Sequence, residues 1–143
     1  MIKKDRTKEF STNQIYILRG KQVILDRDLA KLYTVATTRL REQVKRNKER
    51  FPQDFMFQLN DSEVEFMVSQ NAIPSRKALG GHLPYVFTQE GIAMLSSVLR
   101  SPRAISVNIL IMRIFAKFRQ NIFQNSSIIS RNISYRSIIE RYW

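Results

Sequence analysis

From Arg103 to Gln120 apolar side chains recur three and four positions apart, at Val107, Leu110, Ile111, Ile114, Phe115 and Phe118. That spacing predicts one long helix with a broad apolar stripe, and a stripe so wide has to be buried against other elements. Ser101 followed by Pro102 supplies its start, with proline at the first helical position. The run is not a membrane span. Ile105 to Phe118, the most apolar stretch of the chain, is interrupted by Asn108, Arg113 and Lys117, whereas a span needs about 20 consecutive apolar residues. The rest of the chain must therefore provide the surface that covers the stripe, and 143 residues are enough to build a core without disulfides or metal.

The upstream elements are short. Ile15 to Leu18 and Gln22 to Leu25 read as two strands of a hairpin turning at Arg19-Gly20-Lys21. Asp26 reads as the N-cap of a helix carrying Leu29, Ala30, Leu32 and Tyr33. Thr34 to Thr37 breaks that pattern, and Thr37 or Thr38 is expected to cap a second helix with Leu40, Val44 and Asn47 on one side, ended by Pro52. Phe55, Phe57 and Leu59 alternate as a strand does. Ser62 with Glu65 fits a capping box for a helix from Glu63 to about Gln70. Asn71 to Gly81 reads as an exposed loop, Leu83 to Phe87 as a strand, and Thr88 as the cap of a helix to about Leu99. The expected fold is a small single α+β domain with short strands, a helix-turn-helix-like core, a loop around Arg76 and Lys77 placed as a wing would be, and a long C-terminal helix. Met1 to Thr12 is expected to be a mobile charged arm, and Asn121 to Trp143, rich in Ser, Ile and Asn, keeps no clean period.

Charge narrows the partners. Lys and Arg number 24 against 12 Asp and Glu, a balance of +12 that favours polyanions. The segment Thr37 to Arg50 concentrates it, with six basic and two acidic residues. If Leu40 and Val44 face the core, the 100° step of a helix puts Thr38, Arg39, Glu42, Lys45 and Arg46 on the far side, with Arg41 and Gln43 flanking. Such a face offers cations for phosphate and groups able to read base edges, and its expected partner is double-stranded DNA. Arg76, Lys77 and the N-terminal arm would add phosphate contacts. A solvated surface helix is the plainer alternative. A protein-interaction module of antirepressor type, meeting an acidic partner, and a nuclease are the other readings the residues leave open.

Enzymatic constellations are missing. His82 is the only histidine and there is no cysteine, so no thiolate or multi-histidine metal site is expected. Gly20, Gly80, Gly81 and Gly91 have no phosphate-loop spacing. Asp26 and Asp28 are assigned to helix capping and a favourable first-turn charge rather than to acid–base work. Phe55, Phe57, Tyr85 and Phe87 are assigned to the core rather than to base stacking. The expectation is a non-enzyme with no cofactor, no metal, no small-molecule substrate and no membrane partner, with homo-oligomerisation left open. Met1 to Phe10 lacks the apolar region of a secretory leader, and the expected address is cytoplasmic.

Three groups of residues carry a family resemblance. They are Ile17-Leu18-Arg19-Gly20 with Val23 to Tyr33, then Arg46 to Leu59, then Tyr85 to Leu99 with Met112-Arg113-Ile114-Phe115. Over roughly Asn13 to Gln120 the chain resembles the phage-type "ORF six N-terminal" DNA-binding domain of the KilA-N superfamily. The resemblance implies a compact α+β DNA-binding domain of bacterial chromosomes, prophages and large DNA viruses, and hence a regulator of prophage or mobile-element type. It ends near Gln120. Such domains are commonly followed by a charged, coiled-coil-like extension, whereas here Ile128, Ile129, Ile133, Tyr135, Ile138, Ile139, Tyr142 and Trp143 stand among Ser and Asn. A truncated or frame-shifted end would account for that difference.

Overall fold

The computed structural model describes residues 12–129. After a single turn at Thr12–Gln14 the chain forms β1 (Tyr16–Leu18), β2 (Lys21–Leu25), α1 (Asp26–Tyr33) and α2 (Thr37–Arg46). A short turn at Lys48–Arg50 leads to β3 (Met56–Gln58), α3 (Asp61–Ser69), a second short turn at Lys77–Leu79, β4 (Tyr85–Phe87), α4 (Gln89–Leu99) and α5 (Pro102–Ile129). The fold is α+β, as expected. The strands make one sheet in the order β1-β2-β4-β3, antiparallel throughout, with Tyr16 opposite Val23, Ile24 opposite Phe87 and Phe57 opposite Val86. The β1–β2 hairpin turns at Arg19 and Gly20, at φ 54° and 72°. Two positive φ values suit the right-handed twist of paired strands, and glycine takes the second of them without a side-chain clash.

Val23, Ile24 and Leu25 are all fully buried, so β2 is covered on both faces. Successive strand residues point to opposite sides. Val23, Leu25, Phe57 and Val86 accordingly pack with Val64 and Met67 of α3, while Ile24 and Phe87 pack with the helices of the other face. That second layer contains Leu29, Leu40, Ile92, Leu95, Ile111 and Phe115, all at most 1% exposed. Phe51 meets the Phe87 ring edge-on at 6.1 Å between centroids, a favoured aromatic geometry. The stripe of α5 is thereby buried: Val107, Ile111 and Phe115 are at most 2% exposed, and Ile114 and Phe118 pack at the margin.

Several helix boundaries differ from expectation. Asp26 is not a cap but the first residue of α1, and Leu25 holds the cap position with no side-chain bond. Neither Thr37 nor Thr38 caps α2, which starts at Thr37 behind Ala36. The helix ends at Arg46 rather than at Pro52, because Asn47 leaves helical geometry and its amide Nδ2 donates to the Gln43 carbonyl at 2.9 Å. The capping box of α3 is Asn60 with Glu63, two residues ahead of Ser62 with Glu65: Glu63 N–H donates to Asn60 Oδ1 and Asn60 N–H to Glu63 Oε1, both at 2.9 Å. Asn60 is still extended, as a cap must be, whereas Ser62 is already helical. The caps at Thr88 and Ser101 are as read, accepting from Gly91 N–H and Ala104 N–H. The β3–β4 connection is no simple wing, since it contains α3. The helix α5 runs past Gln120 to Ile129, so Gln120 is not a structural boundary. The arm through residue 11 and the tail from residue 130 lie outside the described residues.

Candidate nucleic-acid interface

Three residues, Thr34, Val35 and Ala36, join α1 to α2. Thr34 sits in the left-handed region at φ 55°, the position such turns commonly give to glycine. Its N–H donates to Lys31 O, the Thr34 hydroxyl donates to Tyr33 O, and Val35 N–H donates to Ala30 O at 3.0 Å. The helix α5 holds the end of α1 from the other side: Arg103 Nε donates to Leu32 O at 3.1 Å and Tyr33 OH to Asn108 Oδ1 at 3.3 Å. Leu40 and Val44 anchor α2 on the core, at 0% and 6% exposure.

Anchoring by those two residues turns Thr38, Arg39, Glu42, Lys45 and Arg46 outward, and all five are exposed. Gln43 and Arg41 lie at the two edges of that arc and are partly buried. Among the described residues Arg39, Lys45 and Arg46 form no ion pair, so three cations stand together on one helix face, followed by exposed Lys48 and Arg50.

Arg41 is different. Its Nε donates to Asp26 Oδ2 at 2.8 Å, and only 24% of its side chain is exposed against 1% for Asp26. The same Asp26 carboxylate accepts from Tyr85 N–H of β4 at 3.1 Å and, through Oδ1, from Arg27 N–H at 2.8 Å. A buried carboxylate needs such partners, because an unpaired charge in the interior costs several kcal/mol. Asp26 thus ties the start of α1 to α2 and to the sheet, which orients α2. Arg41 is a positioning residue for the basic face rather than a member of it.

The other two candidates also part company. Arg76 pairs with Asp61 at the start of α3, an exposed surface contact. Lys77 is exposed and opens the short turn whose Ala78 and Leu79 face Arg27, Lys31, Thr37 and Arg41 across a cleft of about 310 Å³. Arg27 and Lys31 were not singled out from the sequence. Their spacing of one helical turn on α1 was the available signal, and the cleft places them beside the first residue of α2, where the helix presents unpaired N–H groups.

Elsewhere the polar chemistry is structural. Arg19 forks onto Glu63, with Nε to Oε2 at 2.9 Å and Nη2 to Oε1 at 2.8 Å, and lies over the Phe57 ring at 4.2 Å. The Arg19 bond holds the Glu63 carboxyl below the usual carboxylate range. Burial pushes the Asp28 carboxyl up to about 6, against the pull of Lys31 and Arg27. His82 is exposed behind Gly80 and Gly81. Among the described residues no three His, Cys, Asp or Glu side chains gather to hold a metal, and no helix is long and apolar enough to cross a membrane.

No curated protein and no solved structure matches the chain. The model of the ORF6N domain matches residues 13–98, a segment that runs from the approach to β1 almost to the end of α4 and takes in α1, its turn and α2. With more than half of its 143 residues matched, the chain belongs to the ORF6N domain family.

Proposed function

We propose that this ORF6N protein binds double-stranded DNA as a member of the KilA-N superfamily and acts by occupancy, as a regulator of prophage or mobile-element type, without catalysis. The observation that carries the reading is the set of Arg39, Lys45 and Arg46, exposed and without an ion pair among the described residues, on the second helix of a helix-turn-helix pair. In this arrangement the first half of α2 enters the major groove. Arg39 reaches base edges there, with Thr38 beside it and Gln43 one turn further along the same side, while Lys45 and Arg46 neutralise phosphates. Arg27, Lys31 and Lys77, around the start of α2, supply further backbone contacts.

Titration of duplexes at increasing salt tests the reading. With ~5 phosphate contacts the logarithm of affinity should fall against the logarithm of salt with a slope of about −4 to −5. On a duplex selected from a random pool, Arg39→Ala should cost ~1–3 kcal/mol and relax sequence preference, whereas Lys45→Ala should weaken all duplexes alike and reduce the slope by about one. A salt-independent response, or folded Arg39→Ala and Lys45→Ala variants that bind as the parent does, would sink the assignment of α2.

A further inference from the structure

The helix α5 carries a second apolar stripe that the described residues leave partly uncovered. Ile105, Ile109, Met112, Ala116 and Phe123 follow one another at steps of three, four and seven residues, the period of a helix-pairing seam. The stripe lies about a third of a turn from the buried one. Ile105, Ile109 and Phe123 are 57%, 49% and 53% exposed. Alongside Ser96 of α4, the residues Ile105, Ile109, Met112, Arg113 and Ala116 line an open groove of about 420 Å³. Single exposed apolar residues are ordinary, but a periodic set along a groove marks an interaction surface. α2 contributes nothing to this groove, so its role is independent of the DNA reading.

Charge identifies the occupant. The exposed flank of the stripe carries Arg113 and Lys117, and α5 contains four basic residues, Arg103, Arg113, Lys117 and Arg119, and no Asp or Glu. A second copy laid on the same face would bring these basic borders together. A segment bordered by carboxylates avoids that repulsion, and its charge adds to a modest apolar contact.

We propose that the α4–α5 groove docks an amphipathic helix of a partner protein whose apolar face is flanked by Asp and Glu. The probe is a labelled synthetic helix of roughly three heptads with Leu at a and d and Glu at e and g, and its control carries Lys at e and g. Fluorescence anisotropy with the full chain should show saturable, salt-weakened binding of the Glu peptide and none of the Lys peptide. Ile109→Asp should lower the affinity at least ~10-fold, the loss of a central apolar anchor. Because Ile109 is half exposed, this variant should melt with the parent. Arg113→Glu with Lys117→Glu should reverse the preference toward the Lys peptide, and Lys45→Ala should leave both responses unchanged. Equal binding of the two peptides, no binding of either, or parental affinity in Ile109→Asp would overturn the proposal. So would a concentration-dependent dimer, or capture on phosphatidylglycerol vesicles without peptide binding, if Ile109→Asp abolished it; these outcomes would assign the groove to a second copy or to a lipid surface.

Discussion

Replacing Arg41 by alanine separates a residue that holds the basic face in place from one that belongs to it. The Asp26 carboxylate, 1% exposed, would keep its bonds from Arg27 N–H and Tyr85 N–H but lose the Arg41 guanidinium. A hydrogen bond to a charged group contributes ~1.5–3 kcal/mol, and breaking a buried pair by removing one partner costs about 3–5 kcal/mol because the other charge is left uncompensated. Water can reach the gap through the exposed quarter of the Arg41 side chain, which sets the expected loss at the lower end, about 3 kcal/mol. That is a roughly 100-fold change in the ratio of folded to unfolded chain, and a fall in Tm of about 10 °C for a protein this size. Denaturant titration of the parent, Arg41→Ala, Asp26→Asn and the double variant reads the effect directly. The double variant should be less destabilised than the sum of the two single ones, with a coupling of at least ~1 kcal/mol. If Arg41→Ala keeps the parental midpoint and loses duplex affinity, Arg41 faces the nucleic acid and the orienting role given to Asp26 is wrong.

Gly91→Ala should destabilise by ~1–3 kcal/mol or more, although alanine is the better helix former by about 1 kcal/mol. A Cβ there would land on the Phe55 carbonyl oxygen, which already accepts from Thr88 N–H at 2.9 Å and Thr88 Oγ1 at 3.1 Å; an unchanged denaturation midpoint would refute the close approach. Asp28→Asn should stabilise the fold near neutral pH. Partial burial pushes the Asp28 carboxyl from an ordinary 3.8 up to about 6, so the native state binds its proton more tightly and parental stability falls as pH rises between those values. That difference sets a ceiling of ~3 kcal/mol before solvent screening; stability curves of parent and variant that run parallel from pH 4 to 7 would contradict it. Thr34→Gly should raise stability by up to about 1 kcal/mol, the relief of a β-branched residue at φ 55° less the entropy gained by the unfolded chain. A lower midpoint would mean that the Thr34 hydroxyl bond to Tyr33 O outweighs the strain.

Where a local signal acts on its own neighbours the sequence was a sufficient guide. Arg19-Gly20, Thr88 and Ser101-Pro102 turn or cap the chain as expected, and Leu40 with Val44 set the rotation of α2 and hence its outer face. The readings that shifted depend on distant partners. Asp26 before an apolar run looks like a cap, but its bonds go to Arg41 and Tyr85, 15 and 59 positions away. Asn60 and Ser62 both precede a glutamate by three residues, and only the end of β3 decides between them. The pairing of Arg76 with Asp61 has no local signature. On α5 the stripe that meets the core was legible because it is dense; the second, sparser one became visible only once the structure left it uncovered.

The family match stops at residue 98, yet the cooperative unit does not. Ala104, Val107, Ile111 and Phe115 belong to the same buried cluster as Leu29, Leu40 and Phe87, and Arg103 satisfies the last turn of α1 through Leu32 O. A fragment cut after Val98 would turn the inner faces of α1 and α4 toward water and release that carbonyl. The shortest piece expected to melt as one body therefore reaches at least Phe118, and an alignment boundary taken as a cloning boundary would separate the basic helix from the scaffold that keeps it in place.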